Sequence, residues 1–171
     1  NSKLAKEFFN HAAKGKGGIG FIVPLTFRKV SVQNTLNLNF HLIRDELLAR
    51  KSFTLEGRDY AVPCCFQVWE WREQPRKKIV LPTKHEDFEF VKDYEEFDFA
   101  IRRVGGLAGK VIDAEKAGAA ASHYFIKSTP QVRERMESLY EQFQEVAGNT
   151  AGNPSLGKGE LIHIYKSEAH S

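Results

Sequence analysis

The residues best suited to chemistry with a flat ligand are Trp69 and Trp71. They stand two positions apart at the end of Cys64-Cys65-Phe66-Gln67-Val68-Trp69-Glu70-Trp71. Aromatic and β-branched residues favour a pleated, half-buried surface, and residues i and i+2 of a strand share a face. Beyond Trp71 the composition turns abruptly to Arg, Glu, Gln, Pro and Lys. Two tryptophans leaving an apolar strand beside a basic segment serve either as core plugs or as a platform for a planar group.

Other chemistry-bearing residues are sparse. The two cysteines are adjacent, which suits neither zinc spacing nor an ordinary disulfide, and they read as buried thiols in a reducing cytoplasm. The histidines at 11, 41, 85, 123, 163 and 170 lack ligand spacing, so no metal site is expected. Gly15-Lys16-Gly17-Gly18-Ile19-Gly20 matches G-x-G-x-x-G, but a phosphate-binding fingerprint follows a strand and opens a helix. Here it follows a helical pattern and opens an apolar run. Carboxylates at 86–98 alternate with Phe88, Phe90, Tyr94 and Phe97 and read as a solvated acidic face. No catalytic triad or acid/base pair is apparent, and no catalytic residue is assigned.

The elements that must position these residues read as an α/β protein. Residues 2–14 predict a helix with Ser2 as N-cap and Leu4, Phe8 and Ala12 at helical spacing, Ala5 and Phe9 beside them. Residues 19–23 form a continuous apolar run of the kind found in buried parallel strands, ended by Pro24. Residues 25–29 make a loop, Ser31 caps a short helix over 32–38, and 41–46 return as a strand. Gly57-Arg58-Asp59 marks a turn before the tryptophan strand. Residues 72–84 are basic and punctuated by Pro75 and Pro82, a plausible boundary. Strands are then expected over 97–104, 110–113 and 122–127. Pro130 opens a helix to about 146 whose stripe is Val132, Met136, Leu139, Tyr140 and Phe143. Asn153-Pro154-Ser155 lies in a glycine-rich turn before a short element over 160–165.

Charge is distributed unevenly over the 171 residues. Residues 1–84 carry 15 Lys/Arg against 7 Asp/Glu, and residues 85–171 carry 10 against 15. A basic first half suits a polyanionic partner. Arg76, Lys77 and Lys78 follow the tryptophan strand. Arg102, Arg103 and Lys110 flank a glycine turn, and Lys127 ends a later strand. Successive strand residues face opposite ways, so at most one of Arg102 and Arg103 reaches a phosphate from a given face. No apolar run reaches the roughly 18–20 residues of a membrane span. No signal peptide is visible, so a cytoplasmic protein without membrane contact is expected. The single methionine is Met136, which suggests a trimmed or partial chain.

Phe21-Ile22-Val23-Pro24-Leu25-Thr26-Phe27, followed by Pro63-Cys64-Cys65-Phe66-Gln67-Val68-Trp69-Glu70, resembles the C-terminal half of the catalytic domain of S-adenosylmethionine-dependent adenine-N6 DNA methyltransferases, phage-like members included. Arg102-Arg103-Val104-Gly105-Gly106 and Asn153-Pro154-Ser155-Leu156 resemble that group's target-recognition region less specifically. The resemblance implies a partial Rossmann-like sheet with helices over residues 1–74, then a smaller α+β region for DNA contact over 75–171. It implies S-adenosylmethionine as cofactor and DNA as partner, in the setting of DNA methylation and restriction-modification. It also implies that Trp69 stacks on a flipped adenine, with Phe27 and Pro24 as pocket wall. The family's glycine loop, ribose-binding acid and Asn-Pro-Pro-aromatic motif are not in these residues. Activity is therefore expected only with an upstream half. The alternatives are a stand-alone nucleic-acid-binding module and a protein-interaction remnant that self-associates through an exposed sheet edge.

Overall fold

The computed structural model of the chain describes residues 2–49 and 52–167. His170 lies outside them, and nothing is described of the Ser2 side chain, on which the expected cap depends. The chain divides into two compact units, Asn1–Val80 with Asn149–Ala151, and Leu81–Gly148 with Gly152–Ser171. Both mix helices with antiparallel sheet. No helix among the described residues is long and apolar enough to cross a membrane.

In the first unit, helix α1 (Ser2–Ala12) leads into strand β1 (Gly18–Pro24), a 3-10 turn (Leu25–Arg28) and the single-turn helix α2 (Val30–Gln33). Strand β2 (Phe40–Leu47), the hairpin β3 (Phe53–Leu55) and β4 (Arg58–Tyr60), and β5 (Cys64–Trp71) follow. The main sheet has the order β1-β5-β2, and β5 is antiparallel to both neighbours. The parallel pairing expected for residues 19–23 is therefore replaced. β1 and β2 run in the same direction but never touch, because β5 lies between them and supplies the ladder to each.

The apolar run of β1 also does not signal burial on both faces. Ile19 and Val23 enter the core while Ile22 stays 55% exposed. The core of this unit gathers Phe9, Ile19, Val23, Phe27, Phe40 and Trp69. Helix α1 contributes Phe9, joined by Ala13 just past its end, whereas the expected stripe residues Leu4 and Phe8 remain 51% and 60% exposed. The helix is thus rotated about one position from the expected stripe. The T-shaped contacts of Phe9 with Trp69 and Phe40, at centroid distances of 5.3 and 6.0 Å, account for that choice.

Two local expectations shift. The short helix starts at Val30 rather than at 32, with Ser31 inside it and Lys29 at the cap position. The hairpin turn is Glu56-Gly57, both at positive φ, and Arg58 and Asp59 belong to β4. Two left-handed central residues are what a two-residue hairpin needs to match strand twist.

The second unit is built on a sheet of order β6-β9-β7-β8, antiparallel throughout. Its strands are β6 (Glu89–Val91), β7 (Phe99–Arg102), β8 (Val111–Asp113) and β9 (His123–Lys127). Strand β6 sits inside the segment expected to be a solvated acidic face. There Phe88 is buried and Phe90 packs against the core, and only the residues between them and around them are wet.

The helix expected over 130–146 is two, α3 (Pro130–Ser138) and α4 (Tyr140–Ala147). They hinge at Leu139, whose φ/ψ of −90°/8° leaves the helical well. Val132, Met136, Leu139 and Phe143 enter the core, together with Leu161, Ile162 and Tyr165 of α5 (Lys158–Ser167). Gly109 closes the β7–β8 turn at φ 95°, and a Cβ there would meet the Phe143 Cβ at 2.5 Å.

Candidate nucleic-acid interface

Trp69 is at the centre of the first unit. It is 1% exposed, with Phe9 against it edge-on. The Arg76 guanidinium carbon lies 5.5 Å from its ring centroid. Its indole Nε1 donates to Gln67 Oε1 at 3.1 Å, and Gln67 Nε2 donates to Asp45 Oδ2 at 2.6 Å. Asp45 in turn pairs with Arg28. Strand alternation explains the grouping: Cys65, Gln67 and Trp69 all face the core side of β5. This polar chain, which runs from the buried Gln67 out to the exposed Asp45, has no sequence signature, since Arg28, Asp45 and Gln67 come from three elements and carry no shared spacing.

Phe27 is fully buried beside Phe9. Pro24 is half-buried, stands opposite Cys64 in the β1–β5 register, and lines a groove of about 340 Å³ with Leu4, Phe8, Phe21 and Ile22. Trp69, Phe27 and Pro24 therefore do not converge on one open pocket. Trp71 keeps a half-exposed ring, and the Lys16 ammonium lies 4.6 Å from its centroid. The two cysteines are free and buried. Burial, with Asp45 nearby, pushes the Cys65 thiol up to about 11.

The basic residues differ sharply in availability. Arg76 folds back onto backbone: its Nε donates to Phe40 O at 2.9 Å, and its Nη2 donates to the carbonyls of Gln33 and Leu36. Partial burial lowers its pKa. The segment around it is held to the first unit by Asn39 donating to Arg72 O and Glu73 O, and by Asn34 bonding Ile79 through both amide atoms. The neighbouring Lys77 and Lys78 project as exposed cations.

In the second unit, Arg102 Nε donates to Val104 O at 3.2 Å. Arg103 lies over Tyr124, 4.9 Å from guanidinium carbon to ring centroid. Lys110 and Lys127 are exposed. Lys158, which the sequence presented only as part of a glycine-rich turn, lies 4.7 Å from the Phe90 centroid and 5.5 Å from that of Tyr124. It opens α5 within Gly157-Lys158-Gly159-Glu160, where Glu160 Oε2 accepts the Gly157 N–H at 2.8 Å.

The cofactor implied by the resemblance finds no matching cradle among the described residues. Gly15 to Gly20 lead from α1 into β1, so no helix N-terminus follows the glycines to receive an anionic or polar ligand group. No group of three or more His, Cys, Asp or Glu among the described residues is arranged to hold a metal ion. Comparison with protein-family models, curated proteins and solved structures finds no match to this chain.

Proposed function

We propose that this chain is the C-terminal portion of an S-adenosylmethionine-dependent adenine-N6 DNA methyltransferase, supplying DNA contacts and working with an upstream half that carries the cofactor site. The juxtaposition of the two resembling segments carries the reading. Val23-Pro24 ends β1 opposite Cys65-Cys64 of β5, at the side of the sheet where β1 has no strand beyond it.

That edge looks unfinished on physical grounds. Outer strands are commonly protected by charge, and β2 carries Arg44, Asp45 and Glu46. β1 carries no charged residue in seven, and Leu4, Phe8 and Ile22 stand exposed around it. A strand from an upstream half would pair with this edge and cover the apolar side chains. The finer expectation of a partial Rossmann-like sheet belongs to this reading. The base-stacking role of Trp69 is not carried forward with it, because its ring is enclosed by Phe9 and Arg76. No transfer step is derived for residues of this chain alone.

The test is methyl transfer by this chain joined in frame to the sequence encoded directly upstream, with duplex DNA and S-adenosylmethionine labelled in the methyl group. Label recovered as N6-methyladenine is the expected result. A folded fusion that binds the cofactor yet leaves DNA unlabelled would overturn the proposal, as would an upstream sequence without an Asn-Pro-Pro-aromatic tetrapeptide. The second reading, a nucleic-acid-binding module independent of any upstream half, is favoured by the exposed Lys77 and Lys78.

A further inference from the structure

In the second unit, Lys92, Arg103 and Lys158 line one cavity of about 240 Å³ together with His123 and Tyr124. A single carboxylate, Asp93, shares that lining, and none of the three cations makes an ion pair with any described carboxylate. Arg103 Nε is buried and has no hydrogen-bond partner among the described residues. A buried guanidinium donor left unpaired is costly, and such a group in a native structure is met by an ordered water, an ion or a ligand.

The cations are held in place rather than scattered. The Arg103 N–H donates to Ser122 O and its carbonyl accepts from Leu156 N, both at 2.9 Å. Tyr124, whose ring both Arg103 and Lys158 approach, is fixed by its hydroxyl donating to Leu156 O at 2.9 Å. Arg103 and Lys158 approach the same ring, and Leu156 bonds both the Arg103 backbone and the Tyr124 hydroxyl.

We propose that this cavity is an oxyanion site that receives a backbone phosphate of a nucleic acid strand, an inference that rests on the DNA-contact reading above. The chemistry favours phosphate over base. Tyr124 already has two cations against its ring and its hydroxyl is spent, so it offers no stacking platform. Arg103 supplies the fork of donors that suits phosphate oxygens, and Lys158 and Lys92 supply point charges. The neighbouring cavity, which shares Lys158, sets Lys84 and Lys127 against Glu86, Asp87 and Glu89 and so lacks a cationic excess.

The experiment is binding of a fluorescein-labelled DNA oligonucleotide to the full chain by anisotropy across a salt series. Exposed Lys158→Gln is the main variant, with circular dichroism and a melting curve to verify folding. Lys158→Gln is expected to weaken binding about tenfold at 0.1 M salt and to lower the salt slope by about one, because one phosphate contact is lost. The Arg103 Nε–H resonance of the wild-type protein, followed by NMR, should shift on addition of the oligonucleotide. Unchanged affinity and slope in Lys158→Gln with a still Arg103 resonance would overturn the site while leaving DNA binding elsewhere. A resonance that moves with inorganic phosphate but not with DNA would overturn the assignment in favour of a small phosphate ligand. Neither result bears on methyl transfer by the joined protein, so the two proposals fail separately.

Discussion

The Trp69 indole donates its only N–H to the buried Gln67 side chain, 3.1 Å away on the same face of β5. Gln67 then passes the polar demand to Asp45, so the most prominent aromatic of the sequence is locked into the core by a chain of partners. Trp69→Ala is expected to cost about 3–5 kcal/mol of stability, as large-to-small core substitutions do. Trp71→Ala, at a half-exposed site, should cost far less. Gln67→Leu should cost about 1–3 kcal/mol through the unpaired indole N–H. Urea unfolding of the three variants checks the ranking, and equal losses at Trp69 and Trp71 would refute it.

Arg76 and Lys77 are neighbours with opposite roles. Arg76→Ala removes the side-chain donor from three backbone carbonyls of the first unit. It is expected to lower stability by about 1–3 kcal/mol. Lys77→Gln should stay within about 0.5 kcal/mol of the parent, as surface changes usually do. Parallel denaturation curves distinguish them, and a neutral Arg76→Ala would show that its contacts contribute nothing.

Cys65 is expected to be inert as a nucleophile in the folded protein. Burial first, and the nearby Asp45 second, favour its neutral thiol and push it up to about 11. The thiolate fraction at pH 8 is then negligible. Mass spectrometry after iodoacetamide treatment should find Cys65 unmodified in the native protein at pH 8 and modified in urea. Rapid native labelling at that pH would contradict the burial described for β5.

Asp113 should titrate well below an ordinary carboxylate. Hydrogen bonds from Lys116 and then Arg133 hold it at about 2. Because the folded value lies below the unfolded one of about 3.9, the stabilisation is present in full above the unfolded value. It fades as pH falls through that value towards 2 and is gone below both. An NMR titration of the Asp113 carboxyl carbon reads the midpoint directly. Lys116→Ala is expected to move it upward, and an unchanged midpoint would remove Lys116 as the main cause.

How much was legible follows from which interactions are local. The tryptophan strand was readable over Cys64–Trp71 because alternation, aromatic content and the break at Arg72 are properties of neighbouring residues. Helix α1 was readable in extent, but its buried face was not. Leu4 and Phe8 are as apolar as Phe9, and only the ring packing of Phe40 and Trp69 selects among them. The cationic cavity was half visible: Arg103 stood out, while Lys158 lies more than fifty residues away in a stretch that reads from sequence only as a glycine-rich turn.

The sequence by itself determined where α1, β1, β2, β5, β7, β8 and β9 lie, though not β3, β4 or β6, together with the change of composition after Trp71 and the scarcity of catalytic side chains, since each is written in short-range pattern and residue type. Tertiary structure decided strand direction and availability. Insertion of β5 between β1 and β2 makes an apolar run part of an antiparallel sheet. Enclosure by Phe9 and Arg76 turns Trp69 from a candidate platform into core. Pairing of Arg76 with carbonyls withdraws one cation, while the ring of Tyr124 gathers two others. Burial and hydrogen-bond completion are sums over residues distant in sequence, and only the folded chain brings those residues together.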